Sequence, residues 1–175
     1  VLWLALHYQG SRKPSDSAQL LISILLRYPE VSGLKLDPAE GKLKFSFLVK
    51  RIVNEEQETL FQHRLNSTLN AYHHLRQIDS PQLNLRMVRW QGVTLVRLER
   101  DVATFTQEEL SLIVSLVNQN LPQGLVTDHQ EELPDEELLA QDDVINSLLS
   151  TIKPADLDKH LVAMRTAGKV MIFDS

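Results

Sequence analysis

Residues 83–100, LNLRMVRWQGVTLVRLER, constrain the fold more tightly than any other stretch. Two apolar-rich runs flank Gln91-Gly92, a link suited to a tight hairpin turn. Setting Trp90 across from Val93 fixes the register. Leu85, Met87, Val96 and Leu98 then share one face, while Arg86, Val88, Trp90, Val93, Leu95 and Arg97 share the other. The first face reads as core. The second is apolar in its middle and cationic at its far end, so it calls for a cover: the rest of the chain, a second copy or a ligand. Its aliphatic centre suits a dry contact, and the chain's own C-terminal part is the expected cover.

The remaining elements follow from periodicity and punctuation. Residues 1–8 are almost wholly apolar, as in a central strand buried on both faces. Ser15 or Asp16 caps a helix whose stripe runs through Ala18, Leu21, Ile22, Leu25 and Leu26, and Pro29 ends it. A hairpin over residues 31–51 turns through Pro38-Ala39-Glu40-Gly41. Its second arm points Leu43, Phe45, Phe47 and Val49 one way and Lys44, Ser46 and Lys50 the other. Asn54 and Gln57 have capping-box spacing ahead of a long helix over residues 55–78. Thr106 and Glu109 repeat that spacing, with Phe105 and Leu110 as a hydrophobic staple. Residues 125–127 suit a short edge strand. A last helix over residues 135–151 and a hairpin turning at Ala167-Gly168 complete the chain.

This order predicts an α+β fold with a ferredoxin-like, split βαβ core: an antiparallel or mixed sheet with helices mainly on one face. The charge suggests how the chain divides. Of the net −5, residues 1–127 carry +2, residues 128–143 carry −8 and residues 144–175 carry +1. Residues 1–127 therefore read as the core. Residues 128–175 read as an acidic linker, helix and β-hairpin extension packed on it.

Composition and motif absences exclude several chemistries. There is no cysteine, which removes disulfides, thiolate nucleophiles and thiolate metal sites, and favours the cytoplasm weakly. No apolar run approaches the roughly 18 residues of a membrane span. The sequence begins at Val1, which leaves room for a removed leader. The six glycines are too dispersed for a dinucleotide or P-loop cradle, and no G-x-S-x-G turn occurs. The histidines lack chelating spacing, the acidic segment lacks the calcium-loop pattern, and no cofactor or metal is expected. Adjacent His73 and His74, on a helix rich in Asn and Gln, read as a solvated surface. His7 ends the first strand and is a possible ligand site, although a hydrogen-bonded strand-end histidine is the plainer reading.

The Arg/Trp face remains. Arg86, Arg89, Arg97 and Arg100 with Trp90 are the types that pair phosphates and stack on bases. They are also the types that mark protein interfaces, and the near-neutral body disfavours nucleic acid. The expected function is a non-enzymatic interaction or regulatory module acting through a sheet face, as a homo-oligomer or with a protein partner. A nucleic-acid-binding accessory protein and a small-molecule binder or enzyme near His7 are the alternatives.

Overall fold

Three of the four described helices begin at a side chain that takes up an orphan N–H group. The computed structural model describes residues 7–8, 15–128, 133–152, 157, 160–166 and 168–174. The Ser15 side chain accepts from the Ala18 N–H and opens α1 (Asp16–Arg27). Asn54 and Gln57 exchange both capping-box bonds ahead of α2 (Glu55–Leu75). Thr106 accepts from the Glu109 N–H to start α3 (Gln107–Asn120), but the Glu109 carboxylate does not return to the cap; it turns inward to Arg100. Asp135, Glu136 and Glu137 fill the first turn of α4 (Asp135–Thr151), where the helix dipole favours negative charge.

Seven strands form one sheet: β1 (His7–Tyr8), β2 (Gly33–Asp37), β3 (Lys42–Val49), β4 (Leu83–Trp90), β5 (Val93–Asp101), β6 (Leu161–Thr166) and β7 (Lys169–Asp174). Their spatial order is β1-β7-β6-β2-β3-β5-β4, with only the β1–β7 pair parallel. The fold is therefore α+β. Trp90 does pair with Val93. The turn joining them has positive φ at both central residues, 47° at Gln91 and 80° at Gly92, the mirror-image geometry that matches strand twist. Residues 125–127 make a single bridge, Leu125 to Val49, rather than a strand.

The split βαβ pairing expected from the element order is not the pairing found. Strand β1 does run parallel to β2, but two strands of the C-terminal hairpin lie between them, and β3 pairs with β5 rather than β1. The described end of the first strand stands at the edge of the sheet, not at its centre; residues 1–6 lie outside the described residues.

Strand alternation sends one set of side chains to a single core. The rung Ala163–Leu34–Phe45–Leu98–Leu85 is buried or nearly so along its length, and Phe47, Val96 and Met87 form the rung beside it. Onto this face pack Leu21 and Leu25 of α1, Phe61, Leu65 and Leu69 of α2, Ile113 and Val117 of α3, and Ile145 and Leu149 of α4, all in one cluster. Side α4 packs against α1 and α3, and hairpin β6–β7 extends the sheet laterally. The described elements of the C-terminal part thus do not lie over the Arg/Trp face as expected. Its helix joins the helical layer because Ile145, Leu148 and Leu149 find apolar partners there, and its strands find the edge of β2. No helix among the described residues is long and apolar enough to cross a membrane.

Candidate functional site

The other face of the sheet is open. Strand pairing arranges its side chains in rungs. One rung reads Met171–Met164–Gly33–Ser46–Arg97–Arg86. On one side of it lies Phe173–Val162–Lys35–Lys44–Glu99–Asn84. On the other lie Leu48–Leu95–Val88 and then Val93–Trp90. The expected six residues, Arg86, Val88, Trp90, Val93, Leu95 and Arg97, are thus brought together on one surface, and no described element packs over them. Trp90 is 68% exposed and Val88 38%; Met164 and Phe173, each 40% exposed, carry the surface onto the C-terminal hairpin.

Gly33 and Ser46 are small, so the centre of the face sinks into a trough of about 490 Å³ whose walls include Lys35, Lys44, Arg86, Arg97, Met164 and one carboxylate, Glu99. The trough is cationic. Arg86 and Arg97 face each other directly across β4 and β5, a like-charge pairing that is unfavourable without a counter-ion. Among the described residues neither arginine, nor Lys35, forms an ion pair. Lys44 differs: it stands 3.7 Å from carboxylate oxygens of Asp37, Glu40 and Glu99. Burial opposes the ionisation of Asp37, yet the Glu40 N–H, His160 and Lys44 outweigh it and hold its carboxyl below the usual range.

Arg89 and Arg100, grouped with this surface in the sequence reading, belong to the opposite face. Arg89 pairs with Glu58 of α2 and donates to the Val53 carbonyl. Arg100 is fully buried. Its Nε and Nη2 donate to the two Glu109 oxygens at 2.5 and 2.9 Å, Nη1 donates to Asp101 and at 3.0 Å to Thr104 Oγ1, and Nη2 reaches the Thr104 carbonyl at 3.2 Å. Those five bonds match the five N–H donors of a guanidinium. His73 closes the network through Nε2, 2.6 Å from Glu109 Oε1, so it is a buried structural residue; His63 and His74 remain at the surface. The signal for Arg100 was present in the sequence, since it shares the parity of Val96 and Leu98.

A second concavity, about 540 Å³, lies where α2 ends and α3 begins, lined by Tyr72, Arg76, Glu108 and Asp142. Several of its polar groups are already paired: the Tyr72 and Thr106 hydroxyls are 2.6 Å apart, Arg76 donates to Glu108 at 2.7 Å and the Gln107 amide donates to Asp142 at 2.9 Å. Burial pushes the Tyr72 phenol above its usual range, the Thr106 contact offsetting part of this. His7 pairs with Met171 in β1, at the opposite end of the rung from Arg86 and Arg97. The described residues contain no group of three His, Asp or Glu placed to hold a metal ion. No known family model, no curated protein and no solved structure matches the chain.

Proposed function

We propose that this protein is a non-enzymatic interaction module whose working surface is the open face of its sheet. One observation carries the reading: Trp90, Val88, Met164 and Phe173 are exposed on a face that also holds two directly opposed, unpaired arginines. Exposed aromatic and arginine side chains are the types that dominate binding energy at interfaces. A second copy of the chain is one possible occupant. A two-fold axis through the trough would oppose four guanidiniums, so a homodimer through this face would centre on Val88, Leu95 and Trp90 instead.

Trp90 supplies the test. In a Trp3→Phe background it is the sole tryptophan, and its emission reports occupancy of the face. The reading expects blue-shifted, quencher-shielded emission once a partner binds, and loss of that partner in Trp90→Asp. A bound partner whose affinity is untouched by Trp90→Asp and Arg86→Glu would overturn it.

A further inference from the structure

We propose that the open face binds single-stranded nucleic acid, with phosphates in the trough beside Arg86, Arg97 and Lys35 and bases stacked on Trp90 and Phe173. The inference rests on the open face being the working surface.

Three observations converge on this ligand. First, Arg86 and Arg97 face one another across the β4–β5 ladder and neither forms an ion pair among the described residues; Glu99, the carboxylate of the same trough, stands 3.7 Å from Lys44 instead. A phosphate between the two guanidiniums removes their repulsion and accepts paired N–H bonds in the geometry arginine favours. Second, the rung continues from Arg97 into Ser46 and Gly33, whose small side chains open the trough floor. A backbone bearing phosphates can settle there, and the Ser46 hydroxyl can donate to it. Third, the two exposed aromatic rings of the face stand at opposite corners, Trp90 on β4 and Phe173 on β7. Strand and rung spacings separate them by roughly 30 Å, with the cations between. Aromatic platforms flanking a basic track are the working parts of sequence-tolerant single-strand binding.

Other occupants fit less well. A second copy brings the same unpaired arginines. An acidic peptide satisfies those charges but gives no reason for flat rings at both ends of the track. The chain's net charge of −5 is no obstacle. Eight of its 23 carboxylates lie in residues 128–143, and the described start of α4 belongs to the helical layer on the far side of the sheet.

The test is fluorescence anisotropy with labelled oligouridylate and oligothymidylate of about ten nucleotides, beside a polyglutamate peptide of similar length. Three released counter-ions imply about a 20-fold loss of affinity between 50 and 200 mM salt. Arg86→Ala/Arg97→Ala should weaken binding and reduce that salt response to about threefold. Trp90→Ala should weaken binding about tenfold while leaving the salt response unchanged. All three substituted side chains are exposed, and unchanged melting temperatures will confirm intact folds. Polyglutamate binding as tightly through the same arginines overturns the inference but keeps the open face as the working surface. The same holds if neither polymer binds and light scattering finds a dimer that Trp90→Asp dissociates. If neither polymer binds and Trp90 stays water-exposed at every protein concentration, both readings fall.

Discussion

Arg97 and Arg100 lie on one strand, three residues apart, and meet opposite conditions. Arg100 points into the helical layer, where burial would be prohibitive without partners, and there Glu109, Asp101 and Thr104 engage every donor it has. Arg97 points the other way, into solvent, opposite Arg86 and without an ion pair among the described residues. One hairpin thus carries a structural arginine on its inner face and uncommitted arginines on its outer face. The contrast shows that, within this hairpin, side of the sheet rather than residue type separates the arginine that holds the fold from the arginines free to meet a ligand.

The sharpest way to break that contrast is Arg100→Met. It leaves the Glu109 carboxylate in the core with His73 as its remaining side-chain partner, and loss of one partner from a buried pair costs about 3–5 kcal/mol. Thermal unfolding should move down by roughly 10 °C. Adding Glu109→Leu should restore part of the loss, because it removes the under-compensated buried charge at the cost of the His73 contact. A double variant as unstable as the single one would show that the pair is not what couples β5 to α3.

Thr94 tests the inner face without charge. It is fully buried, accepts from the Val53 N–H at 2.9 Å and donates to the Arg51 carbonyl at 2.8 Å. Thr94→Val should cost about 1–3 kcal/mol in denaturant unfolding, the penalty for leaving a buried amide unsatisfied. An unchanged midpoint would mean that water replaces the hydroxyl.

Asp101 gives the comparison a pH axis. Burial opposes its ionisation, but the Thr104 hydroxyl, the Gln82 N–H and Arg100 outweigh it, so its carboxyl titrates below the usual range. The folded state therefore holds its proton less tightly than the unfolded chain. The stabilisation is complete above about pH 4 and drains away as the pH falls further, through the folded-state value. Asp101→Asn should cost about 1–2 kcal/mol at neutral pH, and the gap from the wild type should close in acid. A constant gap from pH 7 to pH 2 would contradict this.

The smallest expected effect has the opposite sign. Arg86→Ala or Arg97→Ala removes a like-charge pair and should leave stability unchanged or raise it by less than about 1 kcal/mol. A clear loss would mean that the outer arginines also serve the fold, and the contrast between the two faces would collapse.

What the sequence made legible was local. Gln91-Gly92 set the turn, the turn set the register, and the register assigned Met87 and Val96 to one face and Arg86 and Arg97 to the other. Asn54, Thr106 and Ser15 marked helix starts for the same reason: each cap is a contact within three residues. Strand neighbours were not legible, because the choice of β2 over any other edge for β6 depends on matching surfaces about 130 residues apart. That gap explains why the C-terminal hairpin was expected over the Arg/Trp face when it lies beside β2. It also hid Met164, Phe173 and Gly33 from the candidate surface. His73 and Glu109 were hidden differently: a polar residue in a helix reads as solvated until its buried partner is known.

The interpolated hairpin gives the chain a direction of assembly. As synthesis proceeds, β2, β3, β4 and β5 can pair among themselves, while the free side of β2 must wait for residues 161–164 and His7–Tyr8 must wait for β7. Until then β2 offers unpaired amides and carbonyls to any extended neighbour. A nascent or proteolysed chain without its final hairpin would be a sheet with an unguarded flank, more inclined to stick to its own kind than the size of the missing piece would suggest.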